Sequence, residues 1–148
     1  MNQIYKLVGI IVSIDNKNIH LNLQDEILKS TQCIEDNTIE KINRLDKQLI
    51  NKVSKLQYNE DINMIKTCKP IYYKYFNNNG KQIKNMYVKL IIPKLFNLRN
   101  LHFKKETMLG SLVIAHVKPS IYNFTDPNNK EKKIRGWKLQ LMAIQKLK

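Results

Sequence analysis

The sequence predicts a mainly β fold: a five-stranded Greek-key barrel with a helical insertion at about 37–58 between its first two strands and a short helix between strands three and four. Three observations predict it. Several segments are rich in β-branched residues or alternate apolar with polar positions, as half-buried strands do. An Asn-Gly pair stands between two such segments, the strongest short-range signal for a hairpin. One stretch alone shows sustained three- and four-residue apolar spacing, the mark of an amphipathic helix.

Residues 4–14 read as a strand, with Gly9 suggesting a bulge or bend. Asp15 to Asn18 is turn chemistry, after which Ile19, Leu21 and Leu23 alternate with His20, Asn22 and Gln24. These pieces form a first strand or a curved hairpin. Asn37 with Glu40 three residues on is a capping-box-like start. Ile42, Leu45, Leu49, Val53 and Leu56 then line one stripe, which packs on the side of the β domain or forms a dimer seam. The insertion as a whole spans about 25–65 within a single domain of residues 1–148.

Ile71 to Phe76 and Ile83 to Ile92 flank Asn77-Asn78-Asn79-Gly80, and Pro93 ends the second run. Residues 94–108 are weakly helical and Gly110 suits the cap. A Val/Ile/Ala run leads past Pro119 to Tyr122 and Phe124, a polar loop covers Thr125–Lys133, and Trp137, Leu139 and Leu141 alternate in a last strand. With the helix at 37–58 set aside, this is the element order of an OB-fold, a small Greek-key barrel.

Charge is distributed unevenly. Residues 1–61 hold 8 Lys/Arg against 9 Asp/Glu, whereas residues 62–148 hold 18 against 3. An excess of that size repels itself unless a polyanion screens it, and nucleic acid is the commonest such partner. Only three of the basic residues are Arg (Arg44, Arg99 and Arg135), which favours contacts to phosphate over base reading. Lys (23), Asn (18) and Ile (20) also dominate as they do in AT-rich genomes, so codon bias contributes to the Lys preference.

If Asn79-Gly80 is a two-residue turn, Tyr72 faces Tyr87, Lys74 faces Asn85 and Phe76 faces Ile83, with Lys89 close behind. Aromatic rings stack on unpaired bases at roughly 1–3 kcal/mol each while lysines neutralise phosphate. Ile71, Tyr73, Met86 and Val88 occupy the opposite, core-like side; a register slip of one residue exchanges the two. The loop after the fourth strand brings Lys130, Lys132, Lys133 and Arg135, with Tyr122 and Phe124 leading into it. Lys118 and Lys138 flank the same region. Trp137 is a secondary candidate, since its alternation with Leu139 favours burial.

Enzymatic chemistry finds little support. His20, His102 and His116 have no ligand partner at metal spacing, and no phosphate-cradling glycine motif or nucleophile motif occurs. Cys33 and Cys68 read as unlinked thiols of a reducing compartment. No apolar run reaches the roughly 20 residues that span a bilayer, and the first residues do not read as a signal peptide.

The chain resembles the small OB-fold single-stranded-DNA-binding proteins of DNA viruses and of yeast cytoplasmic linear (killer-type) plasmids. The likeness rests on Met86-Tyr-Val-Lys-Leu-Ile-Ile, on Gly110-Ser-Leu-Val-Ile-Ala leading to Tyr122, and on Gly136-Trp-Lys-Leu-Gln-Leu, within residues 71–147. Many such proteins end in an acidic tail where this chain ends Gln145-Lys-Leu-Lys148, and the helix at 37–58 has no assigned counterpart. The resemblance implies coating of exposed strands during replication. The expectation is thus a sequence-tolerant, non-catalytic module of the cytoplasm, or of the host cytoplasm if viral or plasmid-encoded. It needs no cofactor, metal or membrane, and its partner is single-stranded nucleic acid, DNA before RNA. Replication proteins and a second copy of the chain are further partners. An RNA-binding OB module, a basic protein-interaction or virion module, and a small nuclease are the alternatives.

Overall fold

The structure, a computed structural model, describes residues 3–24, 38–56, 65–93 and 105–147. Among these residues seven strands and two helices follow in the order β1 (Tyr5–Ile14), β2 (Asn18–Asn22), α1 (Thr38–Leu56), β3 (Ile65–Cys68), β4 (Ile71–Asn78), β5 (Lys81–Ile91), α2 (Lys105–Met108), β6 (Leu112–Asp126) and β7 (Asn129–Lys146). Asn37, Cys33, His102 and the 94–104 part of the short helix lie outside the described residues.

The strands pair in the order β3-β7-β6-β1-β2-β5-β4, and β5 also pairs with β7. That last pairing is parallel, Leu90 with Leu139 and Ile91 with Gln140, and it closes β1, β2, β5, β7 and β6 into a five-stranded barrel. A closed barrel of this strand order with one parallel pair is consistent with an OB-like fold. β3 and β4 are additions, one on the edge of β7 and the other on the edge of β5.

The helical insertion therefore sits elsewhere than expected. The segment read as a first strand or a curved hairpin, and counted as one barrel strand, is a hairpin of two: Asp15 Oδ1 accepts the backbone N–H groups of Lys17 and Asn18 at 2.7 Å each and turns the chain. α1 follows the second barrel strand, and the barrel's third strand is β5. The first arm of the hairpin, β4, lies outside the barrel. α2 does fall between the third and fourth barrel strands, and Gly110 beyond it adopts φ 80°, as a C-terminal cap requires. The irregularity expected near Gly9 lies at Ile11/Ser13.

The stripe on α1 is buried against the barrel: Ile42, Leu45 and Leu49 join Leu7, Ile19, Leu90, Trp137 and Leu139 in one core. Thr38 at the start of the helix accepts the Val8 backbone N–H at 3.2 Å. The indole N–H of Trp137 donates to Asp46 Oδ1 at 2.9 Å, and Lys69 Nζ lies 3.4 Å from Asp46 Oδ2. One carboxylate on the helix thereby ties β7 to the connection between β3 and β4. Gly136 lets β3 approach: a Cβ there would collide with the Cys68 carbonyl oxygen.

Candidate functional site

The hairpin takes the register that its turn predicts. Asn79 and Gly80 have φ of 52° and 77°, the pair of positive angles a type I′ turn needs. Tyr72 pairs with Tyr87, Lys74 with Asn85, Phe76 with Ile83 and Asn78 with Lys81. β2 lies along the other edge of β5, with His20 opposite Lys89 and Asn22 opposite Tyr87. Alternation then places His20, Lys89, Tyr87, Tyr72, Lys74 and Phe76 on the outer face of one three-stranded sheet. Ile19, Leu21, Val88, Leu90, Met86 and Ile71 point into the core.

This outer face is more ordered than a row of free rings. Tyr72 and Tyr87 stack with centroids 5.3 Å apart and planes at 15°, and Lys74 Nζ lies 5.3 Å from the Tyr87 ring centre. Tyr87 is only 4% exposed and receives the Asn22 amide at 3.5 Å. It is thus a buried support, not the base-stacking platform expected of it. Phe76 keeps 45% of its surface exposed and Tyr72 is half-buried. Burial, with Tyr87 beside it, pushes the Tyr72 hydroxyl above its ordinary pKa. The opposite side of the hairpin is core only near the barrel. β5 pairs with β2 through residues 87–91 alone, so farther out Tyr73 and Tyr75 are exposed, with Lys84 Nζ 4.1 Å above the Tyr73 ring.

The basic loop expected at 125–133 is instead the end of a long two-stranded arm. β6 runs to Asp126 and β7 starts at Asn129, leaving Pro127-Asn128 as the turn. Pro119 falls past Val117, the last β6 residue paired with β1, where among the described residues β6 has no partner on that side. Along the arm Lys118, Tyr122, Phe124 and Lys138 alternate onto the outer face, and Tyr122 stacks on Phe124 at 5.8 Å. Lys130 is exposed near the turn and Lys132 is half-buried.

Two residues of the expected set turn inward, Arg135 against expectation and Trp137 as its alternation favours. Arg135 is 2% exposed and donates from Nε to Asn123 Oδ1 at 3.0 Å, so it clamps the arm. Lys133 is half-buried where β7 meets β3. Trp137 is 1% exposed, held by Asp46. β3, a strand invisible to the sequence reading, pairs with β7 along Lys133–Gly136, whereas the burial of Trp137 is the one its alternation with Leu139 favours and α1 completes it.

Where β5 and β7 diverge beyond their short parallel pairing, a groove of about 440 Å3 opens. Lys89 and Ile91 line it from β5, Tyr122 and Phe124 from β6, Ile134, Trp137 and Lys138 from β7, and Cys68, Lys69 and Pro70 from the β3–β4 connection. The connection is pinned across the fork by the Lys89 backbone N–H, which donates to the Pro70 carbonyl at 3.0 Å. Burial and then the Cys68 thiol, which hydrogen-bonds it, push the Tyr122 hydroxyl up to about 12. Tyr122 therefore stays neutral, an aromatic wall with a polar rim. Lys89 belongs both to this groove and to the hairpin face, so the two clusters meet at one lysine.

No family model, curated protein or solved structure matches the chain. Among the described residues no group of three or more His, Cys, Asp or Glu is placed to hold a metal ion. No helix among them is long and apolar enough to cross a membrane. His20, Cys68 and Lys69 are members of the site that the sequence reading left out. The polar position of His20 in its alternating strand was visible; its pairing with Lys89 was not.

Proposed function

We propose that this chain is a non-catalytic, sequence-tolerant single-stranded-DNA-binding protein with an OB-fold barrel, coating exposed strands during replication in the cytoplasm. The observation that carries the reading is the position of Lys89. It joins an aromatic and lysine-bearing strand face to a groove walled by Tyr122 and Phe124. A strand laid along this path meets exposed rings at Phe76 and Phe124 and positive charge at Lys74, Lys89 and Lys138. Stacking is indifferent to base identity, because every base has a π-face. Lysines on the backbone add affinity without sequence information.

The binding face of OB-folds includes the second and third barrel strands and the loop between the fourth and fifth. Here those parts are β2, β5 and the β6–β7 arm. The concentration of positive charge in residues 62–148, which supply β5, β6 and β7, supports the same path. The test is a salt titration of binding to single-stranded DNA, duplex DNA and RNA side by side. Single-stranded DNA should bind most tightly, with affinity falling steeply as salt rises. Equal affinity for duplex removes the stacking component, tighter binding to RNA reassigns the ligand, and no binding at low salt overturns the proposal.

A further inference from the structure

His20 lies on the β2 side of the β2–β5–β4 face. Across the ladder it stands between Ser13 of β1 and Lys89 of β5. Its Nδ1 lies 2.7 Å from Tyr72 Oη of β4, and the two rings meet edge-on at 5.6 Å. This contact fixes the imidazole plane and leaves Nε2 as the other ring nitrogen. The charged groups facing it are Lys89 on β5, Lys74 on β4 and Asp15 in the β1–β2 turn. Among the described residues Tyr72 and Tyr87 are the other titratable groups beside it, and Ser13 brings no charge. Asp15 already accepts two backbone N–H groups.

The surroundings therefore disfavour a third cation in the free protein. Burial first, then Lys89, hold His20 below its ordinary value, with Lys74 adding to the effect and Asp15 opposing it. An arriving phosphate reverses the sign of the local field, since an opposite charge within roughly 4–6 Å favours the ionised imidazole. We infer that His20 joins Lys89 and Lys74 in holding one backbone phosphate of the bound strand, and does so as an imidazolium. The proton comes from solvent, and the only covalent bond formed is N–H on the ring. Tyr72 keeps the ring aimed by accepting from Nδ1, and Nε2 donates to the phosphate.

This inference rests on the nucleic-acid reading above. Its sign follows from linkage: the bound state holds the proton more tightly, so affinity rises as pH falls through the bound-state pKa. The gain levels off below the free-state pKa.

The deciding experiment is an NMR titration of the His20 ring in the full chain, free and saturated with an oligothymidylate, the signal being identified by its loss in His20→Gln. Neither thymine nor the phosphodiester titrates between about pH 5 and 8, where histidine does. The midpoint should rise by about one pH unit on binding, equivalent to about tenfold in affinity between the two protonation limits. His20→Gln should flatten most of the pH dependence of affinity. An unchanged midpoint at saturation overturns the inference while sparing the proposed function. A pH dependence undiminished in a folded His20→Gln does the same. If His20→Gln does not fold, the midpoint shift in the unaltered protein decides by itself, its signal then assigned by through-bond correlation. Absence of oligothymidylate binding at low salt removes the proposed function and this inference together.

Discussion

Tyr72 lies nearly flat against Tyr87, with ring centroids 5.3 Å apart and planes 15° from parallel. The contact divides the labour of the face. Tyr87 is covered and supports, while Phe76, two positions beyond Lys74 on the same side, remains 45% exposed. Tyr87→Ala should destabilise the protein by roughly 3 kcal/mol, as buried aromatic truncations do. Phe76→Ala should leave the unfolding midpoint unchanged and weaken single-strand binding by roughly 1–3 kcal/mol. Denaturant unfolding and oligonucleotide titration of both variants separate the two roles. A destabilised Phe76→Ala beside a stable Tyr87→Ala would reverse them.

Lysine and arginine should behave as different materials here. Lys89 is exposed on the proposed path, so Lys89→Ala should reduce the slope of log affinity against log salt by about one. Arg135 is buried on Asn123. Arg135→Ala should lower stability and leave that slope as it is. A salt titration of each folded variant, alongside its melting curve, checks both.

Asp46 joins α1 to Trp137 and to Lys69. Asp46→Leu leaves the indole N–H of a 1%-exposed tryptophan without that acceptor, a loss of roughly 1–3 kcal/mol. The measurement is the shift in urea midpoint at constant m-value. No shift would mean that the bond contributes nothing beyond what water supplies.

Truncation within the α1 stripe should cost more. Leu45→Ala or Leu49→Ala, each at a site 1% exposed, should destabilise by roughly 2–5 kcal/mol. Since the stripe is buried against the chain's own barrel, the melting temperature should not depend on protein concentration. A concentration-dependent melt would restore the dimer-seam reading.

Gly136→Ala tests how β3 is held. Its new methyl group would collide with the Cys68 carbonyl, a backbone atom that cannot rotate away. A loss of roughly 1–3 kcal/mol or more is expected, with hydrogen exchange rising first in residues 65–68. Wild-type exchange there would show that β3 accommodates a side chain.

What the residues decide locally was legible from them alone. The Asn79-Gly80 turn sets the whole hairpin register, because two consecutive left-handed residues admit few strand geometries. The α1 stripe and the alternation at Ile19, Leu21 and Leu23 likewise identify which side chains are buried, since helix and strand periods are properties of consecutive residues. Tertiary structure alone decided which strands meet. The parallel closure of β5 on β7 moved β4 out of the barrel, and Arg135, paired with Thr67 of β3, turned inward onto Asn123. The pairing of β2 with β5 brought His20 to Lys89. The 68 positions between His20 and Lys89 carry no periodic trace of that pairing, because strand partnership is set by how all the apolar faces close at once.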